Sequence, residues 1–538
     1  MPITRIENVI VWTGIRSADG GYIEATSVAF DSDGILALGD AANALTVDHV
    51  IDGAGGFVCA AFRDGHVHAI PGGFEGAIAP VRGHSTPQEI AAAVGTWARA
   101  NPDVEWVRGE GFDHTLAPEG IFLASWLDAD VPDRPVVLRA TDYHTVWVNS
   151  EALRRVGYAA DTPQPHDGEI VRNESGEPVG TLREWGAWRP VYDLMPKMTR
   201  EQALAALRIA SDGFAAAGLV WVQDAWIEPH DVDSWLAGVD EGIVDFRADL
   251  GLWCDPNTWR DQLDHFAKTR ERVAAATSGR LSSTTIKFFA DGVIESGTGA
   301  LLESYCDCPH SLGMPNWDPQ ELKLAVAAVD ALGFSPHIHA IGDAAARMAL
   351  DAIEYANSVN GARDRRATIA HTQLVDEADI ERFVQLGVIA NFEPYWAKFD
   401  AWQTELTAPR LGPERTDRQY MIRTILDTGA PISFGSDWPV TTFAPLAGIQ
   451  VAVTRQMTEG DFRDPWVPQE RITVEQALAA YTSGVSFQAG DERGGVLRPG
   501  ARSDVVLLAR DPRAVPPLEI EGIAVVGTWC DGHRVHGA

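Results

Sequence analysis

Residues 319–359 read PQELKLAVAAVDALGFSPHIHAIGDAAARMALDAIEYANSV, and this stretch decides the fold class. Pro319 to Leu332 and Asp343 to Val359 have the apolar spacing of helices, and Ser335 to Ile341 between them reads as a strand. Alternation of helix and strand predicts a parallel sheet, because parallel neighbours need a long crossover connection that a helix supplies.

The same alternation extends through most of the chain. We predict eight core strands: Phe57 to His68, Leu219 to Ala225, Arg247 to Leu252, Thr284 to Asp291, Ser335 to Ile341, Arg366 to His371, Val388 to Pro394 and Pro431 to Asp437. Eight such units predict an α/β fold, a (β/α)8 TIM-like barrel. The active site of such a barrel lies at the C-terminal ends of its strands.

Both ends of the chain have short β-rich runs separated by Asp-Gly turns. Neither end is long enough to bury a core alone, so 1–56 and 497–538 are predicted to pair into one small composite β-sandwich beside the barrel domain at 57–496. The first two predicted barrel strands are about 150 residues apart, far more than an ordinary connection. We therefore predict a large inserted subdomain at about 75–205 after barrel strand one.

Composition narrows the function classes. The 538 residues carry a net charge of −33, which disfavours nucleic acid and anionic membranes as partners and leaves a small-molecule substrate. Five cysteines make no disulfide framework, and the first residues have no signal-peptide pattern, so the expected location is cytoplasmic. The sequence leaves the oligomeric state open, a homodimer included.

Metal-ligand residue types cluster at predicted strand ends. His66 and His68 lie two apart on one strand, so both imidazoles face the same side. Each residue alone has an ordinary structural reading, but a barrel brings strand ends one, four, five, six and eight together. The residues at those ends are His66, His68, Lys287, His337, His339, His371 and Asp437.

This order of residues resembles the amidohydrolase superfamily. The segments 287–296, 339–343 and 434–440 are similar to the branch that contains N-substituted formamide deformylase and YtcJ-like proteins. Val136 to Arg139, followed by His144 and 147–150, resembles the insertion of that branch, and 497–508 resembles its sandwich. The resemblance covers nearly the whole chain.

The resemblance implies a binuclear metal centre, with two Zn²⁺ expected and Mn²⁺ or Fe²⁺ as alternatives. The implied metal ligands are His66, His68, Lys287, His339, His371 and Asp437. Lys287 would be carboxylated by CO₂ and bridge the ions, because a protonated ammonium cannot ligate a cation. A water bridging the metals would be the nucleophile, with Asp437 as its general base. The implied reaction is hydrolysis of a C–N bond in a small amide, such as an N-formyl or N-acyl amine.

Other residues are assigned to the substrate pocket. The predicted substrate contacts are His144, Trp147, Glu184, Glu295 and Trp438. Glu184 could replace Lys287 as the bridging ligand, but Lys287 is favoured because it lies on strand four. Trp185, Trp188 and Trp396 are also expected to border the pocket.

Several points stay open at this stage. The same site could hydrolyse an ester or lactone, or catalyse isomerisation or decarboxylation, and a non-catalytic regulatory protein could retain the fold. Cys306 and Cys308 lack the spacing of a zinc site. Arg63, inside the first predicted barrel strand, has no partner that the sequence identifies. Tyr143 replaces a glycine that is usual in the insertion and is expected to alter the pocket.

Overall fold

A computed structural model describes residues 2–458 and 463–537. The strands in chain order are β1 (Thr4–Arg16), β2 (Tyr22–Asp31), β3 (Gly34–Leu38), β4 (His49–Ala60), β5 (Phe62–Val67), β6 (Val107–Phe112), β7 (Val136–Ala140), β8 (Thr145–Val148), β9 (Glu169–Arg172), β10 (Pro178–Arg183), β11 (Leu219–Ile227), β12 (Arg247–Trp253), β13 (Leu281–Ser282), β14 (Thr285–Phe289), β15 (Ser335–Ala340), β16 (Thr368–His371), β17 (Ile389–Phe392), β18 (Ile432–Phe434), β19 (Val505–Leu508), β20 (Val525–Cys530) and β21 (His533–His536).

The helices in chain order are α1 (Gly39–Asn43), α2 (Ala69–Phe74), α3 (Pro87–Ala100), α4 (Ala124–Asp128), α5 (Ser150–Val156), α6 (Trp185–Tyr192), α7 (Arg200–Ala216), α8 (Asp231–Asp240), α9 (Trp259–Thr277), α10 (Pro319–Ala331), α11 (Asp343–Asn360), α12 (Glu377–Leu386), α13 (Ala408–Thr416), α14 (Ile422–Asp427), α15 (Pro445–Thr454), α16 (Val474–Ala479) and α17 (Val485–Gln488). Asp318 caps α10 by accepting from the backbone N–H groups of Gln320 and Glu321. In the described part of the chain, no helix has the length and apolar character needed to cross a bilayer.

Eight parallel strands form the barrel in the order β5, β11, β12, β14, β15, β16, β17 and β18. The last strand returns to the first, where the Asp437 N–H donates to the His66 carbonyl at 2.8 Å. The His68 N–H donates to the Trp438 carbonyl at 2.7 Å. These bonds close the sheet, and the predicted α/β class and TIM-like barrel are confirmed.

The first predicted barrel strand, Phe57 to His68, is two strands and needs correction. Its first part ends β4, where Phe57 to Ala60 pair antiparallel with β19 of the terminal sheet. Its second part is β5, which begins the barrel at Phe62. Every residue from Phe57 to Val67 is buried, and Ala61 is not a turn-forming residue type, so the sequence gives no sign of the junction there. The division of the chain into domains at 1–56, 57–496 and 497–538 remains a prediction.

Strands from both chain ends form one seven-stranded sheet, in the order β21, β20, β19, β4, β1, β2 and β3. On β19, Val505 and Leu507 join a hydrophobic cluster that the terminal strands share, while Val506 and Leu508 join the cluster of the barrel. This alternation follows from the two-residue period of a strand. The sheet therefore has a core of its own and also packs on the barrel.

The segment between β5 and β11 contains a second sheet, in the order β6, β7, β8, β10 and β9. Two hydrophobic clusters pack on it, one centred on Phe112 and Phe122 and one on Leu182 and Trp188. The Glu184 N–H donates to the His144 carbonyl at 3.0 Å, so the ends of β8 and β10 present both side chains together. This large insertion after barrel strand one was predicted from the spacing of the strands.

Arg63, unexplained by the sequence, belongs to a buried ion network that joins the barrel to the terminal sheet. Its Nη2 lies 2.8 Å from Asp491 Oδ2 and 3.0 Å from Asp504 Oδ2. Arg247, at the start of β12, also bonds to Asp504 and lies 2.6 Å from Asp531 Oδ2. Burial raises the pKa of Asp504, but the two guanidinium groups lower it more, so its pKa lies below the ordinary value.

We expect Asp504→Asn to destabilise the protein by about 3–5 kcal/mol, because it removes the carboxylate that two buried guanidinium groups share. Urea and thermal unfolding midpoints measure the effect. The control is Glu519→Gln, which breaks the exposed pair with Arg510 and should cost less than about 1 kcal/mol. Equal midpoints for the two variants would show that the network does not hold the sheet to the barrel.

Candidate metal centre

Three predicted ligands converge on one point at the C-terminal end of the barrel. One ligand atom each from His66, His371 and Asp437 lies within 4.8 Å of the other two, and all three residues are buried. His68 joins them, since its Nε2 lies 2.9 Å from Asp437 Oδ1, and the His66 Nε2 lies 3.4 Å from the same oxygen. The strand-end placement inferred from the sequence therefore gives a compact group of ligand atoms.

The backbone at two of these positions is strained. His371 ends β16 with φ of 73°, and Asp437 follows β18 with φ of 51°, both in the left-handed region. Non-glycine residues there cost free energy, and such strain concentrates at functional sites. Asp437 keeps this conformation because its N–H bonds to His66 and its carbonyl accepts from the Val440 N–H at 2.8 Å. The turn thereby aims its carboxylate at the histidines.

Lys287 on β14 lies in the same group, with Nζ 3.2 Å from His66 Nε2 and 4.5 Å from the centre of the Phe289 ring. It is fully buried, and this burial lowers the pKa of Lys287 to about 7, against the raising effect of Asp437, Glu393 and Asp224. A substantial neutral fraction of the amine at neutral pH follows. A neutral amine is the form that reacts with CO₂.

His339 borders the same space but is held differently. Its Nε2 donates to the Gly292 carbonyl at 3.0 Å, which leaves Nδ1 as the nitrogen with a free lone pair. Its ring centre lies 4.5 Å from that of His371 and 5.3 Å from that of His144. His339 is thus beside the ligand group, on the side where the insertion meets the barrel.

The donor set fits a divalent cation. Asp437 Oδ1 lies 2.9 Å from His68 Nε2 and 3.4 Å from His66 Nε2, so a carboxylate oxygen and two imidazole nitrogens face one point. Burial lowers the pKa of His66 and His339 well below the ordinary value, so these imidazoles are neutral and can ligate. Neutral imidazoles together with one carboxylate suit Zn²⁺ or a similar first-row ion.

The structure adds supporting residues that were given no role from the sequence. Glu393 Oε2 accepts from His371 Nδ1 at 2.9 Å, and His337 Nε2 lies 3.0 Å from His66 Nδ1. Asp64 Oδ1 accepts from the backbone N–H groups of His66 and Ser436 at 3.0 and 3.1 Å. Such partners fix the orientation of metal-ligating histidines. Glu393 could have been found from the sequence, because it is a carboxylate at the C-terminal end of predicted strand seven.

We call the cavity between His66, His68, Lys287, His339, His371 and Asp437 the metal chamber. It continues into a cavity of about 220 Å³ whose far wall includes Ile341, Trp396, Trp402 and Tyr420, here called the aromatic cavity. Trp396 stacks on the His371 imidazole at 5.4 Å with an angle of 7° between the rings. The site can therefore accept an apolar group next to the metal ligands.

Two of the predicted substrate contacts, His144 and Glu295, border these cavities, and Glu184 lies behind His144. His144 borders both and bonds through Nδ1 to Glu184 Oε2 at 2.8 Å. Glu184 Oε1 accepts from Thr298 Oγ1 at 2.5 Å, so both of its oxygens are occupied away from Lys287. Glu295 borders the aromatic cavity. The structure therefore gives Glu184 a positioning role toward His144, and Lys287 is the better candidate for the bridging ligand.

Two predicted substrate contacts lie elsewhere, which corrects their assignment. Trp147 is fully buried in the core of the insertion, where its Nε1 donates to the Leu123 carbonyl at 3.0 Å. Trp438 packs edge-on against Phe214 and Phe443, behind the strand end rather than in the chamber. Both faces of β8 are buried, so its sequence does not reveal which face Trp147 occupies.

The other three tryptophans that were expected to border the pocket line three different cavities. Trp185 borders the metal chamber, Trp396 borders the aromatic cavity, and Trp188 borders a neighbouring cavity. Cys306 and Cys308 are exposed free thiols. Tyr143 borders the metal chamber with φ of 61°, and its hydroxyl lies 3.0 Å from a Glu75 oxygen and 3.1 Å from a Glu110 oxygen; its effect on the pocket stays a prediction.

Comparison with known proteins agrees with this geometry. The sequence model of a protein family described as the amidohydrolase family matches residues 49–536. The chain is 31% identical to the protein LONG AFTER FAR-RED 3 of Arabidopsis thaliana, over 99% of this chain and 92% of that one. It is 27% identical to the putative amidohydrolase YtcJ of Bacillus subtilis, over 88% of each. Identity to the N-substituted formamide deformylase of Arthrobacter pascens is 26%, over 90% of this chain and 89% of that one.

Solved structures agree on the fold. A crystal structure of an uncharacterised metal-dependent hydrolase from Pyrococcus furiosus matches with a TM-score of 0.72 and 24% identity, covering 95% of this chain and 100% of that one. The match shows the same architecture. Together with the relatives, it confirms the resemblance inferred from the strand-end residues.

We expect Glu393→Gln to weaken metal binding about 10- to 100-fold, because the amide no longer supplies the negative charge that orients His371. Competition with a chelating dye measures the affinity. His371→Gln should weaken it further, and His166→Gln, which removes an exposed imidazole, should leave it unchanged. Unaltered affinity in both site variants would exclude metal binding at this cluster.

Proposed function

Because the chain belongs to the amidohydrolase family and is a metal-dependent hydrolase of that family, we propose that it cleaves the C–N bond of a small amide. N-formyl and N-acyl amines are the proposed substrate class. The observation that carries the proposal is the group formed by His66, His371 and Asp437 beside the buried Lys287, open to the aromatic cavity. The relative whose printed name gives a reaction, the N-substituted formamide deformylase, supports the choice of bond.

The residues divide into two sets of ligands for two metal ions, proposed as Zn²⁺. His66, His68 and Asp437 would hold one ion, and His339 with His371 the other. Lys287, carboxylated on Nζ by CO₂, would supply the oxygen ligand between them. A divalent ion bound here would act as a Lewis acid toward the amide carbonyl and the attacking water.

Asp437 would move the proton. Burial raises the pKa of Asp437, but His68, His371 and Lys287 lower it more, so the carboxylate is ionised at neutral pH. An ionised carboxylate can take a proton from the attacking water and pass it to the leaving nitrogen. This second transfer is required, because an amine anion is a poor leaving group.

His144 would orient the carbonyl oxygen. Burial lowers the pKa of His144, but the Glu184 carboxylate raises it more, so the imidazole tends to carry both protons. With Nδ1 bonded to Glu184, its Nε2 has no partner among the described residues and remains a donor. A fixed donor beside the reacting carbonyl stabilises the negative charge that develops on its oxygen.

The first test is a metal and substrate screen. The protein is purified, its metal content is measured, and it is loaded with Zn²⁺ or Mn²⁺ and given N-formyl and N-acetyl amines with apolar side groups. We expect close to two metal equivalents per chain and release of free amine, detected by an amine-reactive dye. The proposal would be contradicted if the protein bound no metal after loading and released no amine. It would also be contradicted if the protein cleaved matched esters and lactones but no amide.

Lys287→Ala should abolish most turnover while the fold is retained, because it removes the ligand between the ions. Formate or propionate added to this variant should restore part of the activity, since a free carboxylate can occupy the position of the carbamate. Lys268→Ala, at an exposed lysine, is the control. Undiminished turnover in Lys287→Ala would show that this lysine bridges no metals.

A further inference from the structure

Arg139 on β7 is a buried guanidinium set among aromatic rings. Only 4% of the residue is exposed, and its guanidinium carbon lies 4.7 Å from the ring centres of both Tyr143 and Trp188. Trp226 and Tyr192 are at 5.3 and 5.6 Å. Cation–π contacts of this kind hold the group in place but do not neutralise its charge.

The guanidinium has no anionic partner in the described part of the chain. Its one hydrogen bond runs from Nε to the Tyr143 carbonyl at 3.0 Å, and neither Nη has an acceptor there. Neighbouring Arg108 and Arg189, by contrast, are bonded to Glu110 and Glu228. A buried charge without a counterion is costly, so an unpaired buried arginine indicates a ligand that completes the pair.

The position of Arg139 says where that ligand lies. The residue borders the metal chamber together with His66, His68 and Lys287. It also borders a cavity of about 220 Å³ on the opposite side, formed with Ile70, Trp188 and Met195. Arg139 and Trp226 belong to the walls of both spaces. A molecule held at the metal ligands can therefore reach the guanidinium.

We propose that Arg139 binds a carboxylate of the substrate, so that the preferred amides are N-acyl or N-formyl amines that carry an acid group. The planar guanidinium fork matches a carboxylate, and its four Nη hydrogens are available for a two-point contact. With a net charge of −33 the protein repels anions at long range, so an anionic substrate needs such a local cation. This inference rests on the proposed amide hydrolysis and names the substrate class for the same site.

The kinetic test uses matched pairs of amides. N-formylphenylalanine is compared with N-formyl-2-phenylethylamine, which lacks only the carboxylate, and N-formyl amino acids with two to four carbons between nitrogen and acid are compared with their neutral analogues. Wild type should favour at least one acid by about 10- to 100-fold in kcat/KM, the range expected for hydrogen bonds to a charged group. The preference should appear mainly in KM.

Three variants assign the preference to the guanidinium. Arg139→Met keeps an apolar stem between the aromatic rings and should lose the preference for acids, so that kcat/KM for each acid falls toward that of its neutral analogue. Arg139→Lys keeps the positive charge but not the planar two-point geometry. Its preference for acids should therefore lie between those of wild type and Arg139→Met. The control is Arg260→Gln, which removes a guanidinium that also lies over a tryptophan ring, but is exposed and paired with Glu321. It should behave as wild type.

A binding measurement separates this proposal from the proposed function. Calorimetry with metal-free protein should show that N-formylphenylalanine binds wild type at least tenfold more tightly than its neutral analogue, and that Arg139→Met abolishes the difference. If no amide is hydrolysed but this difference is found, amide hydrolysis fails and anion binding by Arg139 stands. If neutral and acidic amides bind and react alike in wild type, or Arg139→Met impairs both equally with a lower thermal midpoint, Arg139 is structural and the inference is overturned.

Discussion

The closing contact between the first and last barrel strands organises the rest of the structure. The His66 carbonyl accepts from the Asp437 N–H, so one hydrogen bond both closes the sheet and brings two ligand-bearing residues together. Close approach at this seam needs Gly435, since a Cβ there would lie 2.8 Å from the His66 Cβ. The contact that closes the barrel therefore also brings residues of the candidate metal centre together.

The two ends of the barrel use buried charge for different purposes. At the N-terminal end, Arg63 and Arg247 pair with the carboxylates of Asp491, Asp504 and Asp531 and attach the terminal sheet, which is a stabilising use of ion pairs. At the C-terminal end, Lys287 and several imidazoles are buried together, and burial shifts their pKa values toward the neutral forms despite the nearby carboxylates of Asp437 and Glu393. That arrangement is costly for the apo protein and suited to a divalent cation.

The insertion forms one side of the metal chamber. Through β7 and the ends of β8 and β10 it places Arg139 and His144 against the metal chamber, with Glu184 bonded to His144 behind it. The barrel contributes the aromatic cavity on the other side, with Trp396 stacked on the His371 imidazole. The barrel thus carries the residues proposed for chemistry, and the insertion carries those proposed for recognition.

The sequence alone determined the fold class and the residues at the strand ends, because strand period and helix–strand alternation are local properties that a sequence displays directly. Strand-end placement identified His66, His68, Lys287, His337, His339, His371 and Asp437, and the resemblance to the amidohydrolase superfamily then implied the six ligands, without His337. Only the tertiary structure decided that Trp147 faces the core of the insertion, that Glu393 supports His371, and that Arg63 meets Asp504, 441 residues away. It also decided that Arg139 has no counterion among the residues that the structure describes. These facts depend on which residues meet across the closed barrel, and no local pattern encodes such pairings.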